Sequence, residues 1–538
     1  MTCVSFLRRV LPLSLLLLLA AGAPQAASLD ETTSAENRGI VHLLNRIGYG
    51  PRPGDVERVR SMGVPAYIEE QLHPETIDDA SCEEKLSGLK TLGMSIPELL
   101  REYPKPEPKA DTRDEKPRGM ENNRRPAVII MELAEAKMIR AVHSERQLQE
   151  VMTDFWFNHF NVNAAKDAGR WLATSYERDA IRPHALGRFR ELLGATAKHP
   201  AMLFYLDNYQ SVKPGGGTGR RRGGETDSRP RGPRGLNENY GRELMELHTL
   251  GVDGGYTQRD VTEVSRCFTG WTIDDPRKGG SGSFLFRGLM HDEGSKVVLG
   301  VTIAAGGGQK DGEQVLDMLA SHPKTAAFIS RKLVNYFVSD TPSPALVKRT
   351  ADVFRKSGGD IREVVRLIIT SPEFNAAGSW RAKIKKPFEL VASTLRITGA
   401  STTAPNQLPR VVGRIGEPLY QCEPPTGYPS HAAAWVNTGA LLNRMNFALA
   451  FAGRKIPGVT VSLKSAFPDA EGKEPGEVLE MMIGEWLGGS VSSITRQTLE
   501  TVVNDPELRR ARLDDRPRNA DMVRLAALVL GSPEFQRR

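Results

Sequence analysis

The segment NENYGRELMELHTLG, at positions 237–251, carries the clearest helical pattern in the chain. Asn237 is a favourable N-cap, and Gly251 tolerates the positive φ that often follows a last helical turn. At 3.6 residues per turn, mostly apolar positions line one side and polar positions stack on the other. The segment therefore predicts a helix with one buried face and one polar face, and similar patterns extend from it in both directions.

The polar face of this helix carries our first candidate residues. Asn239, Glu243 and Glu246 recur at i, i+4 and i+7, and Arg242 lies beside them. Two carboxylates a turn apart, flanked by an amide and a guanidinium, suit acid–base chemistry or metal binding. The same residues also fit a solvated surface with exposed ion pairs. We take Glu243 and Glu246 as catalytic candidates, and Asn239 and Arg242 as substrate-binding candidates.

Toward the N-terminus, polar residues interrupt two apolar runs. The motif WFNHFN at 156–161 places Asn158 and His159 among aromatic residues, and the motif YLDN at 205–208 ends in Asp207 and Asn208. A buried, hydrogen-bonded histidine is the commoner explanation of such a pattern. The alternative is a base or ligand held rigidly by packing. On that alternative, His159 is a catalytic candidate, and Asn158, Asp207 and Asn208 bind substrate.

Toward the C-terminus, two alternating segments predict a β-hairpin. Ser283–Arg287 and Val297–Ile303 alternate as strands, with a polar loop between them. The loop contains His291 and Asp292, which suit a metal pair or a base with the residue that orients it. Lys296 follows as a group that binds an anionic substrate.

The remaining periodicity predicts a mainly α fold. Helical patterns cover 127–142, 147–157, 176–193, 261–268 and most of the chain after 311. We therefore expect a large multi-helix globular body, with a small β-hairpin insertion near 283–303. Residues 40–538 form this body, and a division into two lobes, 40–305 and 311–538, is one arrangement that the pattern allows.

The N-terminus has the pattern of a secretory signal over 1–27. A basic pair precedes a leucine-rich run, and small residues follow. The run is too short to cross a bilayer comfortably, and no other membrane segment is predicted. We expect an exported protein, periplasmic or extracellular. In that setting Cys82, Cys267 and Cys422 allow either one disulfide with a spare thiol or three buried thiols.

The positive charge is concentrated in one place. The formal net charge is +7, the signal contributes two arginines, and residues 213–235 hold a net +5. The rest of the mature chain is therefore neutral, which argues against a folded nucleic-acid-binding face. The segment 213–235 is rich in Gly and Arg and predicts a disordered insertion, and the Pro-rich segment 104–126 predicts an exposed loop.

Several cofactor and catalytic motifs do not occur in the chain. There is no Cys-x-x-Cys-His for haem c, no nucleotide-binding glycine loop, no Gly-x-Ser-x-Gly and no His-Glu-x-x-His. The cofactor is therefore unknown. A divalent metal is the one alternative left open, with Glu243, Glu246, His159 and His291 as weak candidate ligands and no established ligand set.

Several motifs in fixed order resemble a family of proteins. They are the segments 156–160, 181–187, 205–208, 237–251, 256–258 and 268–271, and His291-Asp292 with Lys296. Together they resemble the bacterial domain of unknown function family 1800, from about Ile40 to the C-terminal Ser-Pro-Glu-Phe. The resemblance implies export and no established activity. By family association alone, it also implies a partner from another exported family, number 1501, which is similar to alkaline phosphatases.

Two functional hypotheses follow. In the first, the protein is a helical accessory or scaffold protein of the cell envelope, and its polar residues form a buried hydrogen-bonded network. In the second, it is a metal-dependent, hydrolase-like enzyme, and the same residues converge on a pocket of carboxylates and histidines. The second hypothesis requires these residues to gather around one concave surface.

Overall fold

The computed structural model describes residues 34–105, 125–214, 235–461, 466–467, 470, 473–504 and 519–538. The predicted signal at 1–27 lies outside the described residues, as does most of the predicted loop at 104–126 and of the predicted insertion at 213–235. The described chain is mainly helical with three two-stranded antiparallel sheets, which confirms the predicted fold class. None of its helices combines the length and hydrophobicity that crossing a membrane requires.

The chain forms two compact units. Unit 1 contains the described residues up to Tyr67, with those of Asn375–Glu417 and Ser430–Arg538, and unit 2 contains those of Ile68–Phe374 and Pro418–Pro429. These units differ from the lobes 40–305 and 311–538 considered above. The reason is long-range pairing, because Phe189 N donates to Gly359 O at 2.8 Å and Ile361 N donates to Gly187 O at 2.9 Å. Residues 311–374 consequently share a unit with residues far upstream.

Unit 2 contains the segment 237–251 and all the candidate residues. Its α-helices are Ala80–Leu86, Ile96–Glu102, Ala127–His143, Gln147–His159, Gly169–Ser175, Phe189–Lys198, Pro200–Tyr205, Asn239–Glu243, Gln258–Cys267, Gln309–Ser321, Pro323–Phe337, Pro344–Lys356 and Ile361–Ile369. Its π-helices are Tyr176–Ile181 and Leu244–Thr249, and its 3₁₀ turns are Pro74–Thr76, Lys90–Leu92, Arg182–His184, Asn208–Gln210, Pro276–Lys278 and Gly288–Met290. The single helix predicted over 176–193 is wrong, because Pro183 and Gly187 separate two helical segments.

The predicted hairpin is also wrong in its pairing. Strand β1 (Trp271–Ile273) pairs with β2 (Phe284–Phe286), whereas β3 (Lys296–Val298) pairs with β4 (Val301–Ile303). The segment predicted as one strand over 297–303 therefore turns back on itself. Leu299 and Gly300 have φ of 50° and 80°. Positive φ at both central residues is the geometry that two-residue hairpin turns favour.

Unit 1 is also helical. Its α-helices are Ser34–Arg46, Asp55–Met62, Pro387–Ile397, Leu408–Ile415, Thr438–Ala452, Pro475–Leu487, Ser493–Val503 and Asn519–Gly531, its 3₁₀ turns are Ala377–Ser379, Pro405–Gln407 and Ala432–Ala434, and its strands are β5 (Ser401–Thr402) and β6 (Val459–Thr460). The helix Val64–Leu72 contains the boundary between the units. Arg396 is almost fully buried, and it donates to Asp55 Oδ2 at 2.9 Å and to Gly50 O at 2.6 Å.

The three cysteines of the described chain are buried thiols. No disulfide joins Cys82, Cys267 and Cys422. Burial raises the pKa of the Cys82 and Cys267 thiols to about 12. The alternative of three buried thiols is therefore the one that the fold adopts, and both of these thiols are unreactive at neutral pH because the thiolate is the nucleophile.

Candidate functional site

The segment 237–251 is a helix whose second half widens into a π-helix. Its α-helical turn spans Asn239–Glu243, and the π-helix spans Leu244–Thr249, where the Thr249 hydroxyl donates to Leu244 O at 2.6 Å. Gly251 has φ of 83°, as predicted. The predicted N-cap is wrong by one residue, because the helix starts after Glu238, while Asn237 Oδ1 accepts from Asn239 N at 2.9 Å. π-Helical turns are rare and frequently occur at functional sites.

A glycine brings this helix close to its neighbour. A Cβ atom on Gly241 would lie 2.2 Å from Ser265 Oγ, which belongs to the helix Gln258–Cys267. Only glycine fits at such a distance. The close packing fixes the position of the next turn, which carries Glu243.

Glu243 and Glu246 form a pair of partly exposed carboxyl groups. Burial raises the pKa of Glu243, and the charge of Glu246 raises it further. Glu246 Oε2 accepts a hydrogen bond from the Tyr256 hydroxyl at 3.1 Å. The pKa of Tyr256 is raised to about 12, mainly by burial and then by Glu246. The carboxyl pair therefore has one member that binds a proton more readily than a free glutamate, as acid–base groups require.

The flanking candidates of this helix have partners of their own. Arg242 Nη2 lies 3.4 Å from Glu238 Oε2 and 3.0 Å from Gln258 Oε1. Arg242 therefore forms an i,i+4 ion pair with Glu238. Asn239 Nδ2 donates weakly to Leu206 O at 3.4 Å.

His159 belongs to a separate, buried cluster. Its Nδ1 lies 2.8 Å from Lys332 Nζ and its Nε2 lies 3.1 Å from His248 O. Because lysine donates, Nδ1 accepts and Nε2–H donates to the carbonyl. Burial depresses the pKa of His159 well below its usual value, and the nearby Lys332 lowers it further. His159 is therefore a neutral histidine at pH 7.

Two other basic groups complete this cluster. Burial lowers the pKa of Lys332 to about 8 and that of His248 to about 3. The His248 ring lies on the π-helix, 6.2 Å from the His159 ring, and its buried Nε2 has no hydrogen-bond partner among the described residues. The sequence patterns did not single out Lys332, because it lies 173 positions after His159 in an ordinary amphipathic helix.

The two asparagines of the WFNHFN motif hold a loop. Asn158 Nδ2 donates to Tyr428 O at 2.9 Å, and Asn158 Oδ1 accepts from Tyr428 N at 2.7 Å. Asn161 Nδ2 donates to Cys422 O at 3.0 Å and Pro424 O at 2.8 Å. Both amides are therefore used to fix the segment 418–429. Asn161 is a residue that our candidate set missed, although its place in the same aromatic run was a usable signal.

Asp207 and Asn208 differ in exposure. Asp207 is partly exposed, has φ of 59°, and lies 3.8 Å from Lys166 Nζ. Asn208 is buried, and its Nδ2 donates to Phe268 O and Trp271 O, both at 3.1 Å. Asn208 therefore ties the YLDN motif to the end of the helix Gln258–Cys267.

His291 and Lys296 lie in a third group, which is closed to solvent. His291 Nε2 is 3.2 Å from Asp311 Oδ2, and Lys296 Nζ is 2.5 Å from the same oxygen, with side-chain exposures of 0%, 0% and 2% for His291, Lys296 and Asp311. His291 Nδ1 lies 2.8 Å from Thr269 O. Each charged group in this triad has a partner, so the triad meets the requirement for burying charge.

Asp292 faces away from this triad. Its carboxylate accepts from Arg266 Nε at 2.7 Å, and Arg266 also pairs with Glu263 at 2.8 Å. The Arg266 guanidinium lowers the pKa of Asp292. Asp292 is therefore the ionised partner of an arginine.

Three separate groups, centred on Glu243, His159 and His291, thus contain candidates. Asp207, Asn208 and Asp292 have other partners. Within the part of the chain that the structure describes, no hydrogen bond or ion pair joins one group to another. No three His, Cys, Asp or Glu side chains among those residues lie close enough to hold a metal ion. The catalytic and substrate-binding roles of the candidates stay predictions.

The family was established by comparison with known proteins. The model of the family described as "Protein of unknown function (DUF1800)" matches residues 42–537. The chain belongs to this family. No curated protein and no solved structure matches it. All three groups of this DUF1800 protein lie within the matched residues, as do both π-helices.

Proposed function

We propose that the protein is an exported helical accessory or scaffold protein of the bacterial cell envelope, located in the periplasm or outside the cell. The observation that carries the proposal is the closed triad of His291, Lys296 and Asp311, with at most 2% of any of the three side chains exposed. His291 and Lys296 were candidates for catalysis and substrate binding, yet both are closed to solvent and engaged with Asp311. Asn158 likewise uses both ends of its amide on backbone groups, and Asn208 donates its amide N–H groups to two backbone carbonyls.

The proposed partner is an exported protein of family 1501. This assignment rests on family association alone. Binding of a purified family-1501 protein to the purified mature chain, measured by sedimentation velocity, tests the partnership directly.

A second candidate function is acid–base catalysis at Glu243 and Glu246. The observation favouring it is the raised pKa of Glu243 beside a second carboxyl group that is hydrogen-bonded to Tyr256. Of the residues proposed for a metal-dependent, hydrolase-like enzyme, this carboxyl pair is the part that still suits catalysis. Measuring the metal content of the purified protein tests whether such an enzyme would use a metal ion.

One pair of variants separates the two functions. Glu243→Gln and Glu246→Gln keep the shape of the side chains and remove their acidity. On the scaffold proposal both variants bind the partner and complement a deletion strain as the wild type does. Loss of complementation with unchanged folding and partner binding would favour catalysis instead.

The variant Lys296→Met tests whether the triad stabilises the fold. It leaves the Asp311 charge buried without its ammonium partner, which costs about 3–5 kcal/mol when a buried pair is broken. We expect hydrogen exchange to accelerate in peptides covering 289–312, and the double variant Lys296→Met/Asp311→Asn to restore protection. Wild-type exchange in the single variant would contradict the structural role of the triad.

A further inference from the structure

Unit 1 contains a small pocket remote in sequence from the candidate groups of unit 2. Its water-accessible volume is about 20 Å³, and a cavity of roughly 10–15 Å³ on this measure already holds a water molecule. Apolar rings of Trp380, Trp486 and Phe535 form part of its wall. The wall also carries four basic side chains and one acidic side chain: Arg381, Lys385, Arg537, Arg538 and Glu534.

Among these basic side chains, Lys385 is the most deeply buried one that has no acidic partner. The residue is 4% exposed, its Nζ donates to Ser393 Oγ at 2.7 Å, and Nζ lies 4.1 Å from the centre of the Phe535 ring. The other two N–H groups of the ammonium have no acceptor among the described residues. Burial lowers the pKa of Lys385 to about 7, and the charge of Arg381 contributes.

Arg381 is a second cation of the pocket wall whose hydrogen bonds go to neutral groups. Its guanidinium donates to the carbonyl oxygens of Leu487 and Ser490, the second at 2.9 Å, and these bonds use two of its five N–H groups. Burial lowers the pKa of Arg381 to about 10, while the charge of Glu534 opposes that effect. Carbonyl oxygens satisfy donors, but they do not neutralise the charge.

The acidic groups around the pocket are already engaged. Glu534 accepts from Ser492 N at 2.9 Å and from the Thr495 hydroxyl at 3.0 Å. Glu389, which contributes to the electrostatics at Lys385, lies 3.1 Å from Arg538 Nη2. Lys385 is therefore a buried cation without an acidic partner, and burying a cation without a counter-charge is costly.

We propose that this pocket binds a small oxyanion, the carboxylate or phosphate group of a low-molecular-weight compound, with the Lys385 ammonium and the Arg381 guanidinium as its donors. Charge-assisted hydrogen bonds to such an anion are short and about twice as strong as neutral ones. The aromatic rings of the wall lower the local dielectric constant, which strengthens the attraction between the anion and the two cations. Binding also fixes Lys385 in its charged form, because a nearby anion favours the ammonium.

Calorimetric titration of the mature protein at pH 7 tests the proposal. Sodium acetate and sodium phosphate are the two probes, each at constant ionic strength set by sodium chloride. We expect saturable binding of at least one probe, and Lys385→Met to weaken it roughly tenfold or more, since a hydrogen bond to a charged group is lost. Binding of acetate alone assigns a carboxylate ligand, and binding of phosphate alone assigns a phosphate ligand.

Lys332→Met is the matched control. Lys332 in unit 2 is also a lysine whose pKa is lowered by burial, and its side chain makes a hydrogen bond to His159. This variant keeps wild-type anion affinity if the site is at Lys385. If Lys385→Met does not fold, Arg381→Gln replaces it with the same expectation. Absence of binding in the wild type, or equal weakening by Lys385→Met and Lys332→Met, would overturn the proposal.

Discussion

Individual polar residues of this chain have roles that depend on burial more than on residue type. His248 is the clearest case. It is 2% exposed, its Nε2 has no partner among the described residues, and burial lowers its pKa to about 3. The unfolded chain binds a proton at this position near pH 6.5, whereas the folded chain does not. Protonation of His248 in the unfolded state therefore lowers the free energy of unfolding as the pH falls below 6.5.

The consequence is a pH-dependent stability, and a single variant removes the contribution of His248 to it. Below pH 6.5 the unfolded state binds more protons at His248 than the folded state, so stability falls by up to about 1.4 kcal/mol per pH unit for this one group. His248→Phe keeps a ring in contact with Phe160, whose centroid is 5.1 Å from that of His248. We expect the variant to lose less stability than the wild type between pH 6.5 and 5, measured by urea unfolding. Parallel losses in the two proteins would contradict this account.

At the same scale, the sequence can single out a residue without revealing its partner. His291 and Lys296 were both candidates from the predicted hairpin, and both contact the same carboxylate. That carboxylate is Asp311, which follows Lys296 by 15 positions and begins a different element. Local patterns cannot reveal a partner that only tertiary packing supplies. For the same reason Lys332 was not connected with His159.

Helix ends are the elements whose rules the chain follows most visibly. Two helices begin with the same His-Pro pair, in which the histidine ring caps the helix. His199 Nδ1 accepts from Ala201 N, and His322 Nδ1 accepts from Lys324 N, both at 3.1 Å. Proline follows at the first helical position, where its missing N–H costs nothing. Histidine thus takes the place of the usual Ser, Thr, Asp or Asn cap.

This use of histidine makes a prediction about substitution. His199→Ala removes the acceptor and is expected to cost about 1 kcal/mol, as loss of an N-cap usually does. His199→Asn keeps an acceptor at the cap and should recover most of that loss. Hydrogen exchange at the start of the helix Pro200–Tyr205 provides the local measurement, and His322→Ala and His322→Asn repeat the test in another helix. Equal exchange in the Ala and Asn variants would show that the ring does not act as a cap.

Elements were predictable where their signals were local. The helices Ala127–His143 and Gln147–His159 begin at the predicted residues because apolar periodicity persists through them. The β pairing was not predictable, because Leu299 is a poor residue for positive φ and concealed the turn between β3 and β4. The π-helix Leu244–Thr249 was also not predicted, since its side-chain pattern satisfies an ordinary helix equally well.

At the scale of the whole molecule, sequence order and spatial order diverge. Both units are built from segments that are not contiguous in sequence. Unit 1 combines the described residues up to Tyr67 with two later segments, and unit 2 includes Pro418–Pro429, which lies between those segments. Apolar periodicity indicated the fold class correctly, because helical periodicity survives any rearrangement of the segments. It did not indicate the unit boundaries, which depend on contacts such as that between Phe189 and Gly359.

The basic segment between Pro214 and Gly235 can be tested at this scale. Its two ends are adjacent, because Val212 N donates to Gly235 O at 3.3 Å. Residues 215–234 carry six arginines against one glutamate and one aspartate, a net +4. Replacing them with a short Gly-Ser linker closes the same gap. Because closure entropy changes by only about 0.6 kcal/mol for each halving of loop length, we expect the midpoint of urea unfolding to stay the same or rise slightly.

The same deletion separates the charge of the segment from the function of the fold. Removing a net +4 should weaken retention of the protein on a heparin column, and the difference from the wild type should vanish at high salt, because exposed charges are screened there. A control replaces the six arginines with glutamine and keeps the length, and it should lose retention to a similar extent. If the deletion lowered the unfolding midpoint or abolished binding to the family-1501 partner, the segment would contribute to the stability or the function of the fold.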